Sequence, residues 1–131
     1  DLGAVYSGYN SDMTRTLAAG HLSSEQRELM CFVENLRDEA IDFVKPGMFA
    51  STVHRFVEDR IKSMGLRFHH LSGHGVGLEI HENPSFNPES KARLRPGMVF
   101  TVEPGVYLPG KFGVRFEDTV VLTRSGCRKL T

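Results

Sequence analysis

The sequence contains little cysteine, and Cys31 and Cys127 are its only two. Their spacing is not typical of metal ligands, and two cysteines are too few for a disulfide framework. We therefore expect a protein of a reducing compartment, the cytoplasm.

The chain also lacks a long apolar run and an excess of charge of either sign. No run approaches the roughly 18 residues that cross a bilayer. Lys and Arg together number 16, and Asp and Glu together also number 16, so the formal net charge is zero. There is no basic patch for nucleic acid and no basic amphipathic helix for a membrane surface. The sequence therefore predicts binding to neither nucleic acid nor a membrane.

The remaining composition is that of one small folded domain. Hydrophobic residues make up 40% and charged residues 24% of the 131 positions, as in ordinary globular proteins. The first residues, Asp1 to Val5, have the character of the middle of a strand and include no start methionine. We therefore expect upstream residues that belong to the same fold.

Two helices are predicted in the first half of the chain. Ser23 precedes Gln26 by three residues, the spacing of a capping box, and Lys45-Pro46-Gly47 ends the helix that follows. A second apolar stripe of helical period begins near residues 51–52, and Gly65 is a natural stop.

Strands are predicted on both sides of these helices. A β-hairpin covers roughly residues 1–18, and alternating residues indicate strands at Met98–Glu103 and Val114–Leu122. Pro104-Gly105 and Pro109-Gly110 mark turns. This order predicts an α+β fold in which helices cover one face of an antiparallel sheet.

Four carboxylates and one histidine stand out when the faces of the predicted strands are considered. Asp1 and Asp12 lie on the two arms of the hairpin, where antiparallel pairing can bring them opposite each other. Glu103 ends one predicted strand and Glu117 lies on the last. His74 is flanked by glycines, which permit close approach of the backbone.

Such a cluster predicts a metal site. Carboxylates that meet at one point repel each other and raise each other's pKa, and two divalent cations would balance four carboxylates and a neutral imidazole. Two-metal sites use a bridging water or hydroxide as nucleophile. The oxygen-rich ligand set with a single histidine favours manganese or iron, with cobalt and zinc as alternatives. Taken singly, each residue has the simpler interpretation of a surface charge or a turn residue, so the hypothesis depends on their convergence.

The glycine-rich stretch Gly73–Gly77 allows a different hypothesis, a phosphate-binding loop. It lacks the Lys-Ser/Thr ending of a P-loop and opens no predicted helix. The metal hypothesis is therefore favoured.

Four stretches together resemble the family of the methionine aminopeptidases, aminopeptidase P and prolidase, which share the pita-bread fold. They occur in the family's order and span nearly the whole chain: Asp1–Ala4 with Gly8–Thr16, Gly73–Glu82, Leu94–Gly105 and Gly113–Thr119. The resemblance implies the creatinase/aminopeptidase-like α+β fold, incomplete in this chain. Residues 1–131 would be the C-terminal portion of a single catalytic domain whose first half is absent.

The resemblance also implies a metal ligand set for two divalent cations, expected to be manganese. Asp1 would bind one metal, Asp12 and Glu117 would bridge the pair, and His74 and Glu103 would complete the other. Glu103 is in addition the expected proton shuttle between the attacking water and the leaving amine.

Three further residues are implied in catalysis and substrate binding. His81 would lie beside the scissile peptide and donate a hydrogen bond to the substrate or to the tetrahedral oxyanion. His70 and Arg115 are typical of the proline-specific branch. Arg115 would hold a substrate carboxylate or stabilise the acidic site from one side. The simpler interpretation of His70 is a structural histidine, and Asp118 is interpreted as a supporting group.

The resemblance implies a metal-dependent hydrolase whose substrate is a peptide with proline at the second position. It would cleave the Xaa-Pro bond at the N-terminus of peptides or in dipeptides. Methionine aminopeptidase-type processing and a non-catalytic binding protein of the same fold remain open. The binding protein and metal-free hydrolases such as creatinase are disfavoured because all five ligands are present. Members of this family are often dimers, so a homodimer is also open.

Overall fold

The computed structural model describes all 131 residues and begins with a short β-hairpin. Strands β1 (Val5–Tyr6) and β2 (Tyr9–Asn10) pair antiparallel, and a bridge between Leu2 and Met13 continues the pairing. The turn residues Ser7-Gly8 both have positive φ angles, the conformation that matches the twist of a two-residue hairpin. The predicted hairpin is confirmed, with strands much shorter than the predicted span.

Helix α1 (Ser24–Phe43) confirms the predicted capping box. The Gln26 N–H donates to Ser23 Oγ at 3.2 Å, and the Ser23 N–H donates to Gln26 Oε1 at 2.9 Å. The helix ends before Pro46, which cannot continue it. Neither this helix nor the next is long and apolar enough to cross a membrane.

Helix α2 (Ala50–Ser63) begins slightly earlier than predicted. Its N-cap residue, Phe49, forms no side-chain hydrogen bond. The Ala50 N–H instead donates to the Ala92 carbonyl at 2.9 Å, so the start is fixed by a distant loop. Gly65, with φ +72°, follows the end of the helix as expected.

The second half of the chain forms a five-stranded antiparallel sheet, in the order β4-β3-β5-β8-β9, and a separate two-stranded ribbon of β6 and β7. The seven strands are β3 (His74–Gly75), β4 (Glu82–Ser85), β5 (Val99–Val102), β6 (Gly105–Leu108), β7 (Phe112–Arg115), β8 (Asp118–Leu122) and β9 (Cys127–Lys129).

The prediction of one continuous strand over Val114–Leu122 is wrong. Phe116 and Glu117 lie between two strands, because β7 pairs with β6 whereas β8 pairs with β5 and β9. The chain thus passes from the ribbon to the sheet at these two residues. The turn predicted at Pro104-Gly105 is also different, since Gly105 already begins β6. The turn at Pro109-Gly110 is confirmed.

Both helices share one hydrophobic core with the sheet. Nineteen buried apolar residues form a single cluster, and it joins Leu36 of α1 and Ile61 of α2 to Phe100 of β5 and Val120 of β8. The Phe86 and Phe100 rings meet at a centroid distance of 4.9 Å. The expected α+β arrangement, with helices packed on an antiparallel sheet, is confirmed.

Candidate metal centre

Three of the predicted ligands meet in a compact group. Asp12, His74 and Glu117 each offer one ligand atom, and these atoms lie within 4.8 Å of one another. All three residues are buried, with exposures of 8%, 6% and 1%. They come from separate parts of the chain: the segment after β2, the start of β3, and the passage between β7 and β8. The fold therefore brings three of the five predicted ligands together.

Glu103 faces the same imidazole nitrogen as Asp12. His74 Nε2 is 3.5 Å from Asp12 Oδ2 and 3.5 Å from Glu103 Oε1. The opposite nitrogen, Nδ1, is 3.0 Å from the Gly75 carbonyl, which can only accept, so Nδ1 carries a proton. In the neutral imidazole, Nε2 then presents its lone pair to two carboxylates. This is the arrangement of a histidine ligand whose tautomer is fixed by its second nitrogen.

Sheet topology explains why the two glutamates come together. Strands β5 and β8 pair as far as Val102 and Asp118, and the β6–β7 ribbon begins just beyond them. Glu103 and Glu117 lie in the gap between the two paired regions. Neither residue belongs to a strand of the sheet or of the ribbon, and both carboxylates lie near His74.

The hairpin is joined to this passage by direct hydrogen bonds. The Glu117 N–H donates to the Thr14 carbonyl at 3.1 Å, and Thr14 Oγ1 donates to Glu117 Oε2 at 2.6 Å. Thr119 Oγ1 donates to the Asp12 carbonyl at 2.7 Å. Asp12 and Glu117 are thus held on two chain segments that are bonded to each other. Thr14 was not among the sequence candidates, although it lies two residues after Asp12 and so on the same face.

The electrostatics of the group suit a cation. Burial, followed by the charges of Glu117 and Asp12, raises the pKa of Glu103 to about 8. Burial and the charge of Asp12 also raise the pKa of Glu117. Glu117 Oε1 is buried without any hydrogen-bond partner, which costs about 1–3 kcal/mol or more in a folded protein. A divalent cation would supply the missing partner and offset the repulsion.

Asp1 lies outside the compact group. The bridge between Leu2 and Met13 places Asp1 opposite Thr14, so Asp1 and Asp12 are diagonal neighbours on one face and the predicted direct opposition is wrong. The Asp1 carboxylate accepts from Arg115 Nη2.

Arg115 is fixed by three partners. Besides Asp1, its Nη1 donates to Tyr107 Oη at 2.7 Å and its Nε donates to Thr14 Oγ1 at 3.2 Å. The sequence predicts that Arg115 and Glu117 point the same way. In the structure both side chains form hydrogen bonds to the same hydroxyl, Thr14 Oγ1. Arg115 therefore places one fixed positive charge beside the carboxylates.

The two further candidate histidines lie in different surroundings. The His81 ring is exposed and stands edge-on to the His74 ring at a centroid distance of 4.3 Å. The His70 ring packs between Phe68 and Tyr107, at 4.7 Å and 5.5 Å, and its Nε2 is buried without a partner. Burial lowers the pKa of His70 and so favours the neutral ring.

Tyr107 is a site residue that sequence reasoning missed. Its ring lies so close to the backbone that a Cβ on Gly113 would come within 2.7 Å of Cδ1, and a Cβ on Gly105 within 2.9 Å of the hydroxyl. Two glycines in paired strands thus make room for one aromatic ring. The ring links His70 to Arg115, and no motif or spacing in the sequence indicates this role.

Asp118 supports the site from behind, as the sequence interpretation expected. Its buried carboxylate pairs with Arg15 at 2.5 Å, Lys129 at 3.0 Å and Arg37 at 3.2 Å. Arg15 Nη1 also donates to the Glu117 carbonyl at 2.5 Å. The ion cluster therefore holds the backbone that carries Glu117.

Comparison with known proteins identifies relatives over the full length of the chain. Residues 1–124 match Metallopeptidase family M24. An Xaa-Pro dipeptidase of Pyrococcus furiosus is 45% identical over 133 residues, which cover all of this chain and 38% of that protein. The uncharacterized peptidase YqhT of Bacillus subtilis is 44% identical, again over all of this chain and 38% of its own length. The chain thus spans about two fifths of these relatives.

Solved structures give the same result. The prolidase from Pyrococcus furiosus superposes with a TM-score of 0.97 at 45% identity, covering all of this chain and 40% of that one. A methionine aminopeptidase from Thermotoga maritima gives a TM-score of 0.89 at 28% identity, covering 98% of this chain and 61% of that one. These likenesses confirm the expected pita-bread fold. The chain belongs to Metallopeptidase family M24.

Proposed function

We propose that this chain is the metal-binding portion of a dinuclear metallo-exopeptidase that hydrolyses Xaa-Pro peptide bonds. The observation that carries the proposal is the convergence of Asp12, His74 and Glu117, with Glu103 facing the same imidazole nitrogen. The 45% identity to an Xaa-Pro dipeptidase supports the substrate class.

The side chains fit a pair of divalent cations. In the proposed ligand set Asp12 and Glu117 would be shared by both ions, His74 and Glu103 would complete one ion, and Asp1 would contribute to the other. Bound divalent cations would supply Lewis-acid chemistry at this site, lowering the pKa of a water molecule and favouring negative charge on the carbonyl oxygen. The predominance of carboxylate oxygens supports manganese, with iron, cobalt and zinc as alternatives.

Glu103 is the proposed proton carrier. Its Oε1 faces His74 Nε2 at 3.5 Å and accepts from Thr101 Oγ1 at 3.3 Å. The carboxylate is only partly buried and lies beside the group, so it can take a proton from the attacking water. It can then deliver that proton to the proline nitrogen as the peptide bond breaks.

Substrate binding is proposed for His81, His70 and Arg115. His81 is exposed beside His74, where its imidazole can donate to the scissile carbonyl oxygen. His70 forms one wall with Tyr107 and Arg115. Arg115 provides the fixed positive charge at that wall, suited to a substrate carboxylate.

A proline at the second position explains why such a site is needed. The proline nitrogen carries no hydrogen, so a peptidase cannot hold this bond through an N–H donor. Recognition must instead come from the ring and from the groups on either side of it. A wall of His70 and Tyr107 offers aromatic surface for the ring.

Methionine aminopeptidase-type processing has less support. The methionine aminopeptidase structure is 28% identical to this chain, whereas an X-Pro aminopeptidase from Thermotoga maritima is 39% identical and the prolidase 45%.

Two free cysteines, Cys31 and Cys127, support the cytoplasm as the proposed location.

A substrate panel tests the proposed specificity. With manganese bound, the intact protein is expected to cleave an Xaa-Pro dipeptide or tripeptide with a kcat/KM more than about tenfold above that of a Met-Ala peptide. Faster cleavage of the methionine peptide would instead assign N-terminal methionine processing. Full metal occupancy without cleavage of any peptide would assign a binding role.

Substitution of a bridging ligand tests the metal site. Asp12→Ala in the intact protein is expected to lower metal affinity and turnover by more than about 100-fold, because it removes a shared carboxylate. The circular dichroism spectrum is expected to stay native, since Thr119 bonds to the Asp12 carbonyl of the main chain. Asp59→Ala, at an exposed acid of α2, is the matched control. Unchanged metal content in Asp12→Ala would contradict a bridging role.

The pH dependence of stability tests the electrostatics. In the metal-free protein, Glu103 has a pKa of about 8, above its ordinary value of 4.5. Between these values the folded state holds the proton more tightly than the unfolded chain, so stability falls as the pH rises. The Tm of the wild type minus the Tm of Glu103→Gln is therefore expected to decrease from pH 5 to pH 8. Added manganese is expected to restore this difference. A difference that is constant with pH would show that Glu103 is not under this strain.

A further inference from the structure

His81 is carried by a segment without regular structure. Residues 77–81 form a bend between β3 and β4 and belong to no strand or helix. Leu78 is 64% exposed and Ile80 is 39% exposed, so apolar packing does little to hold the segment. The position of the His81 imidazole therefore depends on hydrogen bonds that reach the segment from elsewhere.

Those hydrogen bonds come from Asn10, at the end of β2. Its backbone N–H donates to the Gly77 carbonyl at 2.7 Å. Its side-chain Nδ2 donates to the Gly77 carbonyl at 3.0 Å and to the Leu78 carbonyl at 2.9 Å. Apart from Glu82 at its own end, no residue other than Asn10 forms a hydrogen bond to this segment. One primary amide, with two donor hydrogens, thus serves two successive carbonyls.

The segment is compact enough to transmit this anchor to its far end. The Gly77 N–H donates to the Glu79 carbonyl at 3.0 Å, and the Glu79 N–H donates to Glu82 Oε1 at 2.8 Å. A Cβ on Gly77 would lie 2.8 Å from Glu82 Oε1, so the two ends of the bend are in contact. A displacement of Gly77 therefore also displaces His81, which precedes Glu82 at the other end of the bend.

Asn10 also lies two residues before Asp12, on the same arm of the hairpin. The arm of the hairpin that carries Asp12 therefore also forms the hydrogen bonds to the segment that carries His81. We propose that Asn10 is a positioning residue that holds residues 77–81, so that the His81 imidazole stays beside His74 and the metal group. The inference rests on the proposed role of His81 as a donor to the scissile carbonyl.

The neighbouring residue, Ser11, provides a matched control. Its Oγ accepts from the Ala4 N–H at 3.0 Å and lies 3.4 Å from the Ala4 carbonyl. Ser11→Ala thus removes two side-chain hydrogen bonds within the hairpin but none to residues 77–81. Asn10→Ala removes two to that segment.

The first measurement needs no substrate. Amide hydrogen exchange across residues 77–82 of the intact, metal-loaded protein is expected to be faster in Asn10→Ala and unchanged in Ser11→Ala, with the same metal content in both. Unchanged exchange in Asn10→Ala would overturn the proposal. This measurement does not depend on peptidase activity. A wild-type protein that cleaves no Xaa-Pro peptide would contradict the proposed function, but the exchange rates would still show whether Asn10 holds residues 77–81.

The second measurement is a double-mutant cycle with His81→Ala. Asn10→Ala is expected to lower kcat for an Xaa-Pro peptide about tenfold, the effect of two lost hydrogen bonds. Asn10→Asp is expected to lower kcat at least as much, because its carboxylate repels the two carbonyls. In the His81→Ala background, Asn10→Ala is expected to cause almost no further loss. Fully additive effects, or a loss of metal in Asn10→Ala, would overturn a role exerted through His81.

Discussion

Three carboxylates converge on one imidazole at the centre of this structure, and their mutual repulsion has to be balanced. Asp12 and Glu103 face His74 Nε2 at 3.5 Å each, and Glu117 completes the compact group with one buried oxygen unpartnered. The protein places the positive charge of Arg115 beside these carboxylates, but that charge is already paired with Asp1. The arrangement is therefore unfavourable for the protein alone and suited to bound divalent cations.

The rest of the fold can be understood as a means of forcing this convergence. The passage between the five-stranded sheet and the β6–β7 ribbon takes Glu103 and Glu117 out of the paired strands. The hairpin brings Asp12 to the same point and is bonded to Glu117 through Thr14. Behind the site, the buried ion cluster at Asp118 fixes the backbone. The stability of the shared hydrophobic core offsets the cost of gathering like charges.

Local signals in the sequence predicted much of this architecture. The capping box at Ser23 and the glycine at position 65 located the helices, because capping is a short-range interaction. The motifs around Asp12, His74 and Glu103 indicated side chains that the fold brings together. The passage at Phe116-Glu117 was missed, because the alternation of apolar residues continues through the change of pairing partner. An alternation of apolar and polar residues does not indicate which strand is the pairing partner.

Other features could not be predicted because they depend on contacts between distant segments. Asn10 and Gly77 are 67 residues apart, and Tyr107 owes its position to glycines on two strands. Asp1 was placed opposite Asp12 from the hairpin alone, but the register of the Leu2–Met13 bridge makes them diagonal neighbours.

The most direct test of the central claim is electron paramagnetic resonance of the intact protein during titration with manganese(II). The proposed ligand set predicts that two equivalents bind and that their spectrum is that of a magnetically coupled pair, because Asp12 and Glu117 would be shared between them. Two uncoupled ions, a single ion, or no specific binding would contradict the account.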